Sequence, residues 1–387
     1  MRTIGVGVIG MGWMGKAHSS AYINYRLKFG HTGIIPRLVI CSEVIEERAK
    51  EAKERFGFEK YSMHWKDVVD DDCVEIVEIT APNALHLEII KYCVAKGKHI
   101  NCEKPVGAFL EQSIEAYNLV KNYPYQTFVG FNYRWAPLVQ YVKELLDSGK
   151  LGEVYSYKGR FFSCYAADAL SCYSWRFEKE NGLGAITDLM SHAVDMALYL
   201  LGDIKSVSGV MRTFIKERPL AQEGASHYAR GKESDAKKEV TNEDYVGARV
   251  SFCNGAEGFI DTSRCFVGPT SEHSFEIHAS KGSVKWNFEE MNTLELYLEG
   301  DEQSSGYRKI YSSPVHPFHQ YFNPSNGTSL GYDDLKTLEI AHFLGKIFDK
   351  NYPYYADFQS AARVAKVLGA IIESNTIKEQ VKLEMEI

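Results

Sequence analysis

Six residues near the N-terminus constrain the fold more than any others. Gly10-Met11-Gly12-Trp13-Met14-Gly15 follows an apolar run over 4–9 and opens a helical stretch over 15–29. Glycines at those three places have distinct uses: Gly10 permits the tight turn, Gly12 lets the backbone approach a pyrophosphate, and Gly15 lets helix and strand pack closely. The helix start, including Trp13 and Met14, then offers N–H groups and a positive dipole end to phosphate. This context predicts a βαβ dinucleotide-binding unit, the alternative being a tight βα turn without a ligand.

The rest of the first third keeps the same alternation. Short apolar runs at 38–41, 76–79, 99–102 and 127–130 are separated by helical stretches at 45–56, 85–96 and 110–121. Such alternation predicts a parallel sheet covered by helices on both faces, and the nearly unbroken apolarity of the runs fits strands buried on both sides. After residue 131 the pattern changes. Strand patterns at 155–162 and 207–215 flank a helix near 186–201, and Asn254-Gly255 joins 245–253 to 256–265 as a hairpin. Further strands are expected at 275–279, 283–288 and 293–298, and helices at 335–349 and 357–372. The expectation is an α/β Rossmann domain over 1–130 and an α+β domain over 131–387 with a large, mostly antiparallel, open-faced sheet. A chain of 387 residues is long enough for two such cores. The polar, aperiodic segment 217–244 reads as a surface insertion, or else as a lid or subunit contact.

Composition excludes several functions. Lys plus Arg is 44 against 51 Asp plus Glu, a net charge of −7, which gives no general attraction to nucleic acid or to an anionic membrane surface. No basic stretch precedes the apolar N-terminus, so no signal peptide is expected. No apolar run reaches the ~18 residues of a membrane span. Eight cysteines are scattered singly, without a CxxC pair or a zinc-like spacing with histidine. They fit a reducing cytoplasm and no metal site. Cys102 and Cys164 lie beside candidate site residues and are read as packing.

Three positions carry candidate chemistry. Glu43, after the second strand, is placed to hold the ribose hydroxyls of an adenosine and would disfavour a 2′-phosphate, so NAD is expected over NADP. The alternative is a solvated residue at a helix start. Lys104, in Glu103-Lys104-Pro105, follows the strand over 99–102 directly, and so stands at the carboxyl edge of the sheet where ligands bind. A lysine there can stabilise a developing alkoxide, or simply be solvated. Asp188 and His192 are four apart on a mostly apolar helix, so both project from one face. An aspartate beside a histidine fixes its tautomer and makes a general base, or is an internally satisfied pair in a core helix.

Together these motifs resemble the Gfo/Idh/MocA oxidoreductases. The resemblance spans essentially the whole chain and rests on Gly10–Gly15 with Lys16-Ala17-His18 behind it, on Ala81-Pro82-Asn83-Ala84-Leu85-His86, on Glu103-Lys104-Pro105, and on Asp188-x-x-x-His192. It implies that Lys104, Asp188 and His192 form the catalytic group. It also implies that Ala81, Pro82, Asn83, His86 and Glu103 approach the nicotinamide and its ribose. Phe131-Asn132-Tyr133-Arg134, Ser174-Trp175-Arg176-Phe177 and Glu217-Arg218-Pro219-Leu220 are most like the levoglucosan and inositol dehydrogenase branch. That branch carries a glutamate where Glu43 stands. Residues 161–168, Phe-Phe-Ser-Cys-Tyr-Ala-Ala-Asp, depart from it by lacking a Gln-Asp-Trp, in a stretch expected to line the sugar pocket. Arg134, Tyr165, Trp175 and Arg176 are candidate sugar contacts, with ordinary packing as the alternative.

The expected reaction is oxidation of a secondary hydroxyl of a sugar, anhydrosugar or cyclitol, quickening with pH as His192 becomes neutral. The alternatives are a glycosidase or lyase that retains NAD through its cycle, and a non-catalytic dinucleotide sensor. The family also implies a homodimer or homotetramer.

Overall fold

The computed structural model describes residues 1–182, 184–220, 229–300 and 305–385. The chain divides into two compact units. One comprises Met1–Pro137 and Ser313–Ala362, the other Leu138–Ser312 and Arg363–Ile387. Chain order alone puts 313–362 with the second half, whereas in the structure this segment packs with the first.

The first unit is built on six parallel strands: β1 (Arg2–Ile9), β2 (Ile34–Ser42), β3 (Lys60–Ser62), β4 (Ile76–Ile79), β5 (His99–Cys102) and β6 (Thr127–Val129). Their spatial order is β3-β2-β1-β4-β5-β6, the doubly wound arrangement whose ligand crevice opens between β1 and β4. Helices α1 (Trp13–Lys28), α2 (Glu46–Phe56), α3 (Trp65–Asp70), α4 (Asn83–Ala95) and α5 (Leu110–Val120) connect them. β2 starts four residues earlier than the apolar run at 38–41 suggests. Pro36 does not break it, because β3 pairs only with Ile40–Ser42 and leaves the Pro36 end an open edge.

The second unit opens with α6 (Pro137–Asp147), followed by β7 (Val154–Ser163), α7 (Ser191–Leu201) and β8 (Ile204–Arg212). A short antiparallel ribbon, β9 (Glu217–Pro219) with β10 (Lys237–Glu239), comes next. The series continues with β11 (Tyr245–Phe252), β12 (Glu257–Ser263), β13 (Ser271–Ala279), β14 (Gly282–Asn287), β15 (Thr293–Leu298) and β16 (Arg308–Tyr311). Helix α8 (Tyr332–Phe348) then joins the first unit, and α9 (Phe358–Ile377) and β17 (Val381–Lys382) end the chain. The nine-stranded sheet runs β16-β15-β14-β13-β7-β12-β11-β8-β17. It is antiparallel except where β12 lies parallel to β7, as the run of hairpin signals implies. Along β7, Tyr157, Phe161 and Ser163 are buried while Lys158 is exposed, the period-2 pattern of a sheet with one covered face.

The ends of segment 217–244 are more than a surface insertion. They form the β9–β10 ribbon, and Arg218 within it is fully buried. Residues 221–228 of that segment lie outside the described residues, as does Leu183 between Gly182 and Gly184.

Candidate active site

In the first unit the turn after β1 has the shape its glycines predict. Gly10 adopts φ +92°, and a Cβ there would lie 2.8 Å from the Thr80 carbonyl oxygen. A Cβ on Gly15 would lie 2.0 Å from the Gly10 carbonyl oxygen, so helix and turn meet too closely for any side chain. Around Gly12 the opposite holds: nothing stands within 4 Å of a Cβ placed there. Gly12 is also the N-cap of α1 and has no side chain to satisfy the first N–H groups. The result is an open backbone cradle at a helix N-terminus, which fits a pyrophosphate.

Glu43 closes one side of this cradle. Its carboxylate accepts from the Met11 N–H at 3.1 Å and the Val44 N–H at 2.9 Å, tying the end of β2 to the glycine turn. Trp13 is 71% exposed, and its ring stacks on Tyr332 of α8 at 5.5 Å between centroids. Met14 Sδ accepts from the Tyr332 hydroxyl at 3.7 Å.

The loops after β4 and β5 are fastened to each other. The buried His86 ring lies 2.8 Å from the Ala81 carbonyl oxygen through Nε2 and 2.9 Å from the Pro105 carbonyl oxygen through Nδ1. Burial lowers its pKa, and in the neutral form its single N–H donates to one of the two. Pro82 and Asn83 begin α4 beside it. The Lys104–Pro105 peptide is cis. The Lys104 backbone N–H donates to Glu103 Oε2 at 3.2 Å. Glu103 itself is buried, its Oε1 accepting from Lys336 Nζ at 2.5 Å and facing His18 Nε2 at 2.9 Å. Arg134 is buried too, with Nη1 donating to the Tyr355 carbonyl at 3.2 Å and the guanidinium 5.7 Å from the Phe131 ring centre. Burial pushes the Cys102 thiol well above its ordinary pKa, so it is a packed thiol and no ready nucleophile.

In the second unit Asp188 lies in a wide π-type turn, Ile186–Met190, which runs straight into α7. Such a turn widens the helix by one residue and re-aims its side chains. Asp188 Oδ2 accepts from the Tyr165 hydroxyl at 2.9 Å. Burial and the Asp188 charge raise the Tyr165 pKa well above its ordinary value, so Tyr165 remains a donor. His192 follows one turn on and is 6% exposed, its ring 5.9 Å from Phe161 and 6.2 Å from His273. The start of this helix is satisfied by Glu243: its backbone carbonyl accepts from Ala185 N–H at 3.0 Å and its carboxylate from Ile186 N–H at 2.8 Å. Gly184 is required here, since a Cβ would lie 2.3 Å from the Glu243 carbonyl oxygen.

Two buried arginines brace the neighbouring 164–177 segment. Arg218 donates to the Ala166 carbonyl at 2.5 Å and the Asp168 carbonyl at 2.8 Å. Arg264 donates to Asp244 at 2.9 Å, to the Asn242 side-chain carbonyl at 2.8 Å and to the Arg176 carbonyl at 3.1 Å. Above them Trp175 is 43% exposed, with the Arg176 guanidinium 4.5 Å over its ring. Because Arg264 and Asp244 are both buried, Arg264→Met is expected to destabilise this unit by about 3–5 kcal/mol, read by urea unfolding. A loss below ~1 kcal/mol would mean that the pair does not brace the segment.

A glycine-floored cradle at the β1/β4 switch point of one unit, and in the other an Asp and a His at a helix head, define a dinucleotide-dependent oxidoreductase. Comparison with known proteins makes this specific. Residues 4–131 match the model of the oxidoreductase family with NAD-binding Rossmann fold, and 139–285 match the GFO/IDH/MocA C-terminal domain. The chain belongs to the Gfo/Idh/MocA family and its cofactor is NAD. It is 36% identical to levoglucosan dehydrogenase of Pseudarthrobacter phenanthrenivorans, over 97% of this chain and 96% of that one. It is 29% identical to the NAD(+) scyllo-inositol 2-dehydrogenase of Bacillus subtilis, over 72% of each. A levoglucosan dehydrogenase solved with NADH and levoglucosan superposes with a TM-score of 0.91 at 33% identity, covering 98% of this chain and 99% of that one. No helix among the described residues is long and apolar enough to cross a membrane.

Proposed function

We propose that the protein oxidises a secondary hydroxyl of a pyranose, anhydrosugar or cyclitol to a ketone. The observation that carries this reading is the carboxylate of Asp188, held by Tyr165 one turn before His192 at the head of α7. The named activities of the levoglucosan and inositol relatives support it. His192 takes the hydroxyl proton at an imidazole nitrogen, with Asp188 fixing its orientation and favouring the protonated ring that results. Lys104 donates to the same oxygen and stabilises its developing charge. NAD, when bound, would supply the acceptor for the hydride, the hydrogen and electron pair of the C–H bond, leaving the substrate carbon.

The backbone around Gly12 holds the pyrophosphate and Glu43 the adenosine ribose, while Asn83 and Glu103 approach the nicotinamide end. Trp175 offers an exposed aromatic face to a sugar ring, and Arg176 and Arg134 offer donors to hydroxyls. Residues 161–168, where the chain departs from the levoglucosan pattern, are the segment expected to set which sugar is taken. The test is an NAD-reduction screen at alkaline pH against levoglucosan, inositols, monosaccharides and sugar phosphates. Accumulation of NADH with one of these is expected. Turnover of a glycoside without accumulation would replace this reading with an NAD-retaining lyase or hydrolase.

The glycine turn gives a separate prediction. Gly12→Ala meets no atom within 4 Å, so the thermal midpoint is expected to stay within about 2 °C of wild type. The added methyl nevertheless stands where the pyrophosphate approaches, so the NADH dissociation constant should rise roughly tenfold by fluorescence titration. Unchanged affinity would move the pyrophosphate elsewhere.

A further inference from the structure

We propose that a buried ion cluster built by α1, β4, the loop after β5, and α8 holds Lys104 in register, with Lys336 and His18 as positioning residues. The inference rests on the reading of Lys104 given above. Glu103 is the hub of the cluster. Its Oε1 accepts from Lys336 Nζ at 2.5 Å and lies 2.9 Å from His18 Nε2. Its Oε2 accepts the Lys104 backbone N–H at 3.2 Å. Gly130 walls the remaining side, where a Cβ would lie 2.7 Å from Oε2. The carboxylate is thus fixed from three directions, and the backbone of Lys104 hangs from it.

The outer members fix the inner ones. Lys336 also donates to Glu339 at 3.1 Å, three residues along the same helix. His18 Nδ1 lies 2.8 Å from Glu78, which also accepts from the Tyr22 hydroxyl. All these side chains are buried. Burial and the Lys336 charge act to lower the pKa of His18, but Glu78 and Glu103 outweigh them and bring it up to about 9. His18 is therefore a cation at neutral pH and donates from both nitrogens. Burial raises the pKa of Glu339 above its ordinary value, against the opposing pull of the Lys336 and His18 charges.

Such a cluster has no obvious value as a source of stability, since apolar packing in its place is often as stable. What it provides is direction. A carboxylate gripped by two cations has one permitted orientation, and that orientation sets the Lys104 amide. Nor is it a metal site, although His18, Glu103 and Glu339 offer ligand atoms within 4.8 Å of one another. The Lys336 ammonium already bridges the two carboxylates.

Lys336→Met alone leaves two buried carboxylates with one cation fewer and can fail to fold. The double variant Lys336→Met/Glu339→Met removes one charge of each sign and keeps the balance. It is expected to melt near wild type and to bind NADH within threefold. The Lys104 amide proton, read by NMR on 15N-lysine-labelled protein, is expected to exchange at least tenfold faster. On the sugar that wild type oxidises fastest in the screen, kcat should fall at least tenfold with KM nearly unchanged. Wild-type amide exchange, or wild-type kcat, would overturn the proposal, as would a kcat loss that vanishes on cooling below the melting range. Lys104→Met measured alongside separates the two readings. Full turnover there removes the role of Lys104, whereas a dead Lys104→Met with an unaltered double variant removes only the positioning role of the cluster.

Discussion

Replacing His192 by asparagine is expected to lower kcat for sugar oxidation by ~10²–10⁴ while leaving NADH affinity within about threefold. Asparagine keeps the polarity and much of the shape of the imidazole, but it cannot accept a proton. Bulk water does not readily substitute, because the side chain at this position is buried against Phe161. The loss should shrink as pH rises and hydroxide takes over part of the proton removal, so the log kcat profile of the variant should steepen relative to wild type. Tyr165→Phe should cost less, roughly tenfold, since it removes one hydrogen bond to a charged carboxylate and leaves the base itself in place. A His192→Asn variant within threefold of wild-type kcat would exclude His192 as the base. Equal losses in both variants would instead make the tyrosine a participant in proton transfer.

Sequence periodicity reveals the scaffold of this protein better than it reveals the ties that hold its site. The parallel sheet is legible because strands buried on both faces read as unbroken apolar runs between helices, and the hairpin at Asn254-Gly255 announces the antiparallel half. The glycine turn is legible for a steric reason: no other residue fits at Gly10 or Gly15. By contrast, Lys336 reaches Glu103 across a separation of 233 residues, and no local pattern encodes that meeting. A signal was present, since Lys336 and Glu339 interrupt the largely apolar stretch Leu335–Leu344 of α8, which is buried throughout. Charges on a buried stripe demand partners, but they do not say which ones. Arg218 was harder still. It sits in a polar segment that reads as surface, and its partners are the backbone carbonyls of Ala166 and Asp168, which carry no side-chain signature. Tyr165 was legible as a pocket residue, yet its bond to Asp188 depends on how β7 delivers it to the π-type turn.

Lys104→Met is expected to lower kcat by ~10²–10³, again with NADH binding retained. Methionine preserves most of the length and the apolar stem of lysine, so packing along the chain is kept while the ammonium is lost. The size of the effect discriminates between two roles. A lysine that only holds the ground-state hydroxyl contributes an ordinary hydrogen bond of about 0.5–1.5 kcal/mol, and its removal raises KM with little change in kcat. A lysine that meets developing alkoxide charge in a water-poor site contributes about 2.7–4 kcal/mol, felt only in the transition state, and its removal lowers kcat. Steady-state kinetics with sugar varied at saturating NAD separate these cases. A tenfold or smaller loss confined to KM would reduce Lys104 to a binding residue. A loss of two orders or more in kcat would also explain why its backbone is tied to a carboxylate that is itself gripped by two cations. Charge stabilisation falls off steeply when the donor is misplaced by even an ångström, so a residue with that role needs a rigid mount.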